Sequence, residues 1–331
     1  MLTRKLGKSG IEVSALGMGC WAIGGPWTWK SPGEDSWPAG WGFIDDDKSI
    51  RAIHAALDLG VNLFDTAANY GAGHSEAIVG RALKGRRDKA VIATKFGRIM
   101  KEDEKIVYGD DDVLLGNVRS DVENSLRRLN TDYIDLYQLH VGEYDPDLAL
   151  ELRGLLEELV GEGKIRWYGW STDLVNRAAV FAGGEHCASI QFQLNALFDN
   201  PEMRVLCEKH DLAGINKDPL NRGFLTGKFT ADSTFPQDDI RSETDFHSER
   251  ILKRLEAIEA LHGPLTSGGR TMAQGALAYI WALDSRMIPI PGFKTVEQVK
   301  QNAGAMEFGP LGDDEVRQVQ EVVAERLPQA G

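Results

Sequence analysis

The stretch Val61-Asn62-Leu63-Phe64-Asp65-Thr66-Ala67-Ala68-Asn69-Tyr70 organises the rest of the chain. Its apolar start is typical of the end of a buried strand. Asp65 follows directly, and an unpaired buried charge costs several kcal/mol or more. We therefore expect Asp65 to have a cationic or hydrogen-bonding partner from another segment.

Two further apolar runs end in ionisable residues. Residues 90–94 lead into Lys95, and residues 134–139 lead into His140. In parallel strands beside the Asp65 strand, these side chains meet at one end of a sheet, because loops and residues after parallel strands share one face. Lys95 is then the expected partner of Asp65, with Tyr70 in the loop above. The pattern predicts a candidate active site at this end.

Composition excludes several classes of protein. The chain has 331 residues, of which 42% are hydrophobic and 26% charged, as in ordinary globular enzymes. A net charge of −13 argues against nucleic acid or an anionic membrane as partner. Three widely spaced cysteines, Cys20, Cys187 and Cys207, fit buried reduced thiols. We find neither a secretory leader nor an apolar run of the roughly 18 to 20 residues that span a membrane, so we expect a cytoplasmic protein.

Strand-like and helix-like segments alternate along most of the chain. Residues 2–13 resemble a β-hairpin around a turn at residues 7–10, and residues 247–262 and 271–283 have helical periodicity. The predicted strands are residues 15–19, 61–64, 90–94, 134–139, 166–171, 189–193, 213–217 and 287–291. Eight such units predict an α/β fold, a (β/α)₈ TIM barrel with an N-terminal hairpin and extra helices. No linker composition divides the chain, so we expect one domain over residues 1–331.

Residues 26–44 contain four tryptophans: Trp27, Trp29, Trp37 and Trp41. The Gly, Pro and Ser residues of this stretch predict a long loop, and the large aromatic side chains indicate that the loop is ordered. Because this loop follows the first strand, we expect it at the same end as Asp65. Two interpretations stay open: a rim for a ring-bearing polar substrate such as a sugar, or a hydrophobic cap on the barrel.

Gly17, Gly19 and Ala22 match the dinucleotide-binding pattern G-x-G-x-x-A only superficially. That pattern requires a helix to begin directly after the glycines. The sequence Gly24-Gly25-Pro26 prevents one, so we reject a Rossmann interpretation.

The four candidate residues together suit carbonyl chemistry. Tyr70, with an ordinary pKa of about 10, can donate a proton at neutral pH, and the Lys95 ammonium would favour its phenolate. Asp65 would keep Lys95 charged, and His140 could bind a carbonyl oxygen. Such a site suits hydride addition to a carbonyl, for which a nicotinamide must supply the hydride. A structural ion-pair network is the alternative.

The order of these residues resembles the catalytic tetrad of the aldo-keto reductases. The resemblance extends over almost the whole chain, through segments 17–21, 169–171, 191–195, 223–228 and 290–292. It implies that Tyr70 is the proton donor, that Lys95 and Asp65 tune it, and that His140 orients the carbonyl.

The resemblance also implies a nicotinamide cofactor. Ser171 and Gln191 would hold the carboxamide, while Leu225, Gly227 and Lys228 would lie along the pyrophosphate. The full set of implied cofactor contacts is Trp21, Asp65, Ser171, Thr172, Gln191, Lys217, Asp218, Leu220, Leu225, Gly227, Lys228, Gly292, Lys294, Gln298, Gln301 and Asn302.

One end of this cofactor site has a physical argument of its own. Lys294 and a helix beginning near Thr295 form an anion site suited to the 2′-phosphate of NADPH. We therefore expect NADPH to be preferred over NADH, with a small carbonyl compound as substrate and no metal.

Two residues depart from the family pattern. Thr172 stands where many relatives have Asn, and Lys217 stands where many have the tyrosine that stacks on the nicotinamide. Two other functions stay open: a Schiff-base lyase with Lys95 as nucleophile, and a cofactor-bound regulatory subunit like the potassium-channel β subunits.

Overall fold

The computed structural model describes residues 2–109 and 114–327. Its strands are β1 (Thr3–Lys5), β2 (Glu12–Ser14), β3 (Met18–Gly19), β4 (Thr28–Lys30), β5 (Trp37–Pro38), β6 (Leu63–Asp65), β7 (Val91–Phe96), β8 (Met100–Lys101), β9 (Ile106–Tyr108), β10 (Ile134–Leu139), β11 (Ile165–Ser171), β12 (Cys187–Gln193), β13 (Ala213–Lys217) and β14 (Met287–Pro289). Its helices are α1 (Asp46–Asp58), α2 (His74–Ala82), α3 (Leu114–Leu129), α4 (Pro146–Gly161), α5 (Val175–Ala182), α6 (Pro201–Lys209), α7 (Glu249–Ala260), α8 (His262–Thr266), α9 (Met272–Leu283), α10 (Val296–Phe308) and α11 (Asp313–Arg326).

Eight parallel strands form the barrel. Their order is β14-β13-β12-β11-β10-β7-β6-β3. The ends of this sheet meet, because Gly17 N–H donates to the Pro289 carbonyl (3.0 Å) and Gly19 N–H to the Pro291 carbonyl (3.0 Å). The predicted (β/α)₈ barrel is confirmed, although its first strand is only Met18–Gly19 and not residues 15–19.

The barrel strands alternate between two apolar environments. One cluster fills the barrel interior and includes Leu63, Ala93, Leu136, Ile215 and Ile288. Neighbouring strand residues instead pack against the surrounding helices, in a cluster that includes Phe64, Ile92, Tyr137 and Ile190. This follows from the two-residue period of a strand. Residues two positions after these interior residues therefore also face the barrel interior and lie nearer the carboxyl ends of the strands.

The N-terminal hairpin closes the other end of the barrel. Strands β1 and β2 pair in antiparallel fashion, as predicted, and a short 3₁₀ helix at Gly7–Ser9 makes the turn. Leu6 and Val13 are fully buried in the interior cluster. Lys8 N–H donates to the Asp211 carbonyl (2.7 Å), just before β13 begins. The candidate active site therefore lies at the opposite end of the barrel, at the carboxyl ends of the strands.

The prediction of a long ordered loop over residues 26–44 is wrong in part, because two short strands lie in it. Strands β4 and β5 lie in this stretch and join β8 and β9 in a second sheet of order β5-β4-β9-β8. Trp29 pairs with Trp37 on one side and with Val107 on the other. The local pattern could not show this, because β9 comes from a distant segment and completes the pairing.

The remaining predictions concern helices and thiols. Helices α7 and α9 agree with the predicted segments 247–262 and 271–283, and α8 is an additional short helix between them. The three cysteines are free and buried, as expected. No helix within the described ranges is long and apolar enough to cross a membrane. A single domain over residues 1–331 stays a prediction.

Candidate active site

Strand register places Asp65, Lys95 and Gln138 together at the carboxyl ends of β6, β7 and β10. Gln138 lies opposite Lys95 in the parallel pair of β10 and β7. Lys95 Nζ donates to Asp65 Oδ1 (2.5 Å) and to the Thr66 carbonyl (2.8 Å). Asp65 Oδ2 accepts from Gln138 Nε2 (3.1 Å) and Gln191 Nε2 (2.8 Å). The buried carboxylate thus has a cation and two amide donors.

The Tyr70 hydroxyl joins this cluster from the loop after β6. Lys95 Nζ lies 3.2 Å from it in a hydrogen bond. The tyrosine is held by the tight turn that follows, since Gly71 has a φ of +65°. A Cβ at Gly71 would lie 2.0 Å from the Gly24 carbonyl oxygen, so only glycine fits.

His140 follows β10 and contacts Tyr70 edge-on, with ring centroids 5.7 Å apart and an interplanar angle of 83°. Its Nδ1 lies 3.0 Å from Asn69 Oδ1. The structure therefore brings together the four residues that the sequence singled out, Asp65, Tyr70, Lys95 and His140. It adds Asn69 and Gln138 to them.

Burial and charge set the protonation states of the cluster. Burial raises the pKa of Tyr70, and the nearby Lys95 ammonium opposes that rise. Burial alone would lower the pKa of Lys95, but the charge of Asp65 and the hydrogen bonds to Asp65 and Tyr70 raise it overall. The pKa of His140 lies well below its ordinary value because of burial and the positive charges of Lys95, Arg98 and Lys217. At neutral pH the site therefore holds a phenol, an ammonium and a neutral imidazole.

Two tryptophans lie beside this cluster. Trp21 stacks on Tyr70, with centroids 5.8 Å apart and 17° between the rings. Trp41 meets Trp21 edge-on at 5.4 Å. Trp29 and Trp37 instead contact each other, 6.0 Å apart, in the second sheet. The sequence grouped Trp41 with Trp27, Trp29 and Trp37. Within the described residues, Trp41 is the one of these four whose ring contacts the ring of Trp21, while Trp27 lies against Trp29 (6.4 Å) in a small buried cluster on which Trp21 also packs.

Trp41, in the tryptophan-rich stretch of residues 26–44, contacts residues 239 and 241, which follow β13. Trp41 forms an antiparallel bridge with Asp239. The guanidinium of Arg241 lies 4.7 Å from the centre of the Trp41 ring and also pairs with Asp239 (2.7 Å). Lys294 Nζ donates to the Trp41 carbonyl. These contacts make Trp41 the meeting point of the first and last barrel units.

Of the predicted carboxamide contacts, Ser171 and Gln191 lie beside Asp65. Ser171 Oγ donates to Gln191 Oε1 (3.4 Å), while the Gln191 amide nitrogen donates to Asp65. The Thr172 hydroxyl is engaged by the backbone, because it donates to the Gly142 carbonyl (2.7 Å) and accepts from Leu174 N–H (3.1 Å). A role for Thr172 at the cofactor stays a prediction.

Lys217, at the end of β13, forms an ion pair with Asp173 (2.9 Å). Each side chain is a little over one third exposed, at 36% and 39%. Asp218 follows with a φ of +54° and accepts from Arg222 N–H (2.5 Å). The predicted stacking position therefore holds a paired cation.

The predicted pyrophosphate segment is compact. Leu220 precedes a short 3₁₀ helix, Asn221–Thr226, and Gly227 ends it with a φ of +70°. Leu225 is fully buried, so only its backbone could face a ligand. Lys228 is exposed directly after the turn.

The predicted adenosine end lies at the start of α10. Thr295 caps this helix, and the Gln298 side chain accepts from Lys294 N–H (2.7 Å) and Thr295 N–H (3.3 Å). Asn302 Nδ2 donates to the Gly292 carbonyl (3.4 Å). Gln301 Nε2 donates to Thr271 Oγ1 (3.3 Å), at the N-terminus of α9. Burial lowers the pKa of the half-buried Lys294, and the charge of Asp239 opposes this.

Three residues of the site were not assigned a role from the sequence. Gln138 could have been found, because it precedes His140 by two residues and a strand repeats every two. Asn69 is adjacent to Tyr70, but its contact with His140 depends on the fold. Arg241 had no local signal, since its partner Trp41 belongs to another barrel unit.

Comparison with known proteins shows the family of this chain. The model of the Aldo/keto reductase family matches residues 15–324. Aldo-keto reductase YhdN of Bacillus subtilis is 36% identical over 283 residues, 83% of this chain and 79% of that protein. A probable aldo-keto reductase 1 of Glycine max is 32% identical over 326 residues, 96% of this chain and 88% of that protein.

Solved structures give the same result. The glycerol dehydrogenase AKR11B4 from Gluconobacter oxydans superposes with a TM-score of 0.81 at 36% identity, covering 99% of this chain and 96% of that one. An aldo-keto reductase from Klebsiella pneumoniae in complex with NADPH superposes with a TM-score of 0.69 at 25% identity, covering 99% and 97%. By its family match, its relatives and its barrel, this chain belongs to the aldo/keto reductase family.

Proposed function

We propose that this protein is an NADPH-dependent oxidoreductase that interconverts an aldehyde or ketone and its alcohol, with Tyr70 as the proton donor in reduction. The observation that carries the proposal is the position of Lys95 Nζ, which is bonded to Asp65 Oδ1 at 2.5 Å and to the Tyr70 hydroxyl at 3.2 Å. Hydride addition to a carbonyl leaves a negative oxygen that needs a proton. We infer that Tyr70 is the acid that supplies it.

Lys95 makes this proton transfer affordable. Because burial raises the pKa of Tyr70, the phenol keeps its proton until the substrate oxygen becomes basic. The Lys95 ammonium then stabilises the phenolate that is left, since an opposite charge within about 4–6 Å favours the charged form. Asp65 in turn holds Lys95 in its protonated form and fixes its direction.

His140 acts as a hydrogen-bonding partner of the substrate oxygen. Its low pKa makes it neutral at physiological pH, so it is not the acid of the reaction. Its ring lies edge-on to Tyr70, with centroids 5.7 Å apart, so both side chains are close enough to contact one substrate oxygen. Tyr70 and His140 together fix where that oxygen sits.

The residues around the site fit a nicotinamide dinucleotide, which when bound would supply the hydride. Ser171 and Gln191 offer a hydroxyl and an amide beside Asp65. At the other end, Lys294 is a half-buried cation next to the capped start of α10, where helix amides favour an anion. Lys294 would exchange its bond to the Trp41 carbonyl for the 2′-phosphate.

Similar proteins support NADPH as this cofactor. The related aldo-keto reductase yakc of Schizosaccharomyces pombe, 29% identical over 330 residues, carries NADP(+) in its name. The Klebsiella pneumoniae structure is a complex with NADPH.

A hydroxylated substrate such as a polyol or sugar is the class we favour. Trp21 stacks on Tyr70 and Trp41 meets Trp21 edge-on, and the flat apolar faces of these indoles suit carbon rings or chains. Trp41 Nε1 has no hydrogen-bond partner among the described residues and is the donor we propose for a substrate hydroxyl, because Trp21 Nε1 already donates to the Ala39 carbonyl (3.0 Å). The similar Gluconobacter oxydans protein is a glycerol dehydrogenase. Trp29 and Trp37 pair with each other in the second sheet, so we propose that they support the substrate rim that Trp21 and Trp41 form.

The geometry opposes a Schiff-base lyase. A lysine nucleophile must lose its proton, yet Lys95 donates to three oxygens and its pKa is raised. No described contact specifically favours a regulatory subunit.

The test is a panel of sugars, polyol-derived aldehydes, short aldehydes and bulky ketones, with NADPH oxidation measured for each. Borohydride is added in a parallel set of reactions. Turnover of NADPH without covalent trapping supports the proposal. Trapping of substrate on Lys95 without NADPH consumption refutes it.

A further inference from the structure

The neutral His140 ring has one proton to place on two nitrogens. Its Nδ1 faces Asn69 Oδ1 at 3.0 Å, and Asn69 is buried, at 5% exposure. A carbonyl oxygen only accepts, so in this arrangement Nδ1 donates and carries the proton. Nε2 then has a lone pair and no hydrogen. In this state His140 accepts a hydrogen bond from a substrate and cannot donate one.

The charged groups around His140 favour a neutral imidazole, so that only one of its two nitrogens carries a proton. Lys95 from β7, Arg98 after β7 and Lys217 from β13 are the charged groups that act on the ring, and the Tyr70 ring contacts it edge-on. All three charges are positive, so they oppose protonation of the imidazole. Because the ring stays neutral, its hydrogen-bonding role depends on the position of its proton and not on its charge.

We propose that Asn69 is a positioning residue that fixes which nitrogen of His140 carries the proton. Its amide has an acceptor end and a donor end, so a half-turn would present Nδ2 instead of Oδ1 to the ring. Nδ1 then accepts, Nε2 carries the proton, and His140 donates to the substrate oxygen.

This inference rests on the proposed function, because the two states suit the two forms of the substrate. A carbonyl oxygen can only accept, so reduction requires the form with Nε2–H. A bound alcohol can donate its hydroxyl proton, so the form with a free Nε2 can also bind it, although oxidation must pass through the same Nε2–H form as reduction, with Tyr70 receiving the proton. The Asn69 amide accommodates both without any change of charge in the site.

The first test is the Asn69→Asp variant, studied by NMR of ¹⁵N-histidine-labelled protein without substrate. The new carboxylate accepts only, and at about 3 Å from Nδ1 it should raise the pKa of His140 by about 1 to 3 units. His140→Gln identifies the signal. Asn176→Asp adds the same charge on α5, where Asn176 is exposed, and should leave the His140 signal unchanged.

The same variant makes a kinetic prediction. With a carboxylate at position 69, Nε2 carries a proton only when the ring is positively charged. Carbonyl reduction should then lose kcat/KM about tenfold per pH unit above the raised pKa of His140, a limb that the wild-type enzyme lacks. A purely structural role for Asn69 would lower activity equally at every pH.

A second variant, Asn69→Leu, keeps the proposal testable if Asn69→Asp does not fold. It removes both ends of the amide, so the ¹⁵N shifts of His140 should move towards a mixture of the two tautomers. The kcat/KM should fall by roughly 3- to 10-fold, as expected for one lost hydrogen bond. It should fall equally in both directions, because an enzyme cannot change the equilibrium constant.

Unchanged His140 shifts in both variants would overturn the role of Asn69. The NMR result needs neither cofactor nor turnover, so it stands apart from the proposed function. If no carbonyl compound is reduced while the shifts change as expected, the proposed function fails and the role of Asn69 in setting the tautomer does not.

Discussion

Replacing Tyr70 with Phe removes one oxygen atom and keeps the ring. The ring contacts with Trp21 and His140 are preserved, and Lys95 keeps its bonds to Asp65 (2.5 Å) and to the Thr66 carbonyl (2.8 Å). The bond that is lost is the 3.2 Å contact from Lys95, so the cost to folding is about 1 kcal/mol or less. The cost to the reaction is much larger. A positioned proton donor contributes roughly 10² to 10⁴ in rate, or about 3 to 5 kcal/mol in the barrier.

The assay compares kcat for carbonyl reduction with the affinity for NADPH in the wild type and in Tyr70→Phe. We expect kcat to fall by roughly two to four orders of magnitude, with the dissociation constant of NADPH within about twofold of the wild-type value. Tyr279→Phe is the matched control, because it removes the same atom from a buried tyrosine on α9 and should keep full activity. Near-full activity of Tyr70→Phe would refute the assigned proton donor.

Three further predictions address binding, stability and pH. Lys294→Ala should weaken NADPH by roughly 10- to 150-fold and NADH little, since one charge-assisted hydrogen bond is lost; equal weakening in titrations would argue against a 2′-phosphate site. Arg128→Met should lower the free energy of unfolding by about 3–5 kcal/mol in denaturant titrations, because it leaves the fully buried Glu76 without its 2.6 Å partner, whereas the control Arg127→Met at an exposed pair should cost below about 1 kcal/mol. Burial raises the pKa of Asp121 from 3.8 to about 6, so the folded state holds this proton more tightly, and the contribution of Asp121 to stability should fall, by at most about 3 kcal/mol, as pH rises from about 4 past 6. The stability of the wild type relative to Asp121→Asn should therefore decline over this range, and a difference that does not change with pH would refute the assignment.

The barrel and the central cluster could be predicted because both depend on short-range patterns. Side chains in a strand return to the same face every two residues. Because Leu63 and Ala93 face the barrel interior, Asp65 and Lys95 are expected to face it as well. The same spacing connects Leu136 with Gln138 and His140. Parallel pairing then brings these side chains together without any further information.

Features that join distant segments could not be predicted in this way. Strand β4 depends on β9 for half of its pairing, so residues 28–30 resemble a loop when taken alone. Arg241 and Lys294 both contact Trp41, and no local pattern connects these three positions. The proton on His140 is a finer case still, because it depends on the orientation of one amide.

Closure of the barrel between β3 and β14 has a consequence for how the chain folds. These strands lie near opposite ends of the sequence, so their pairing is the most non-local in the barrel and must wait for the C-terminal units to be synthesised. Until then one edge of the growing sheet stays open, and open edges promote aggregation. Strand β3 is only two residues long, which leaves little edge to template wrong pairing. We expect chains truncated before Met287 to accumulate as aggregates and the full chain to reach its native state slowly.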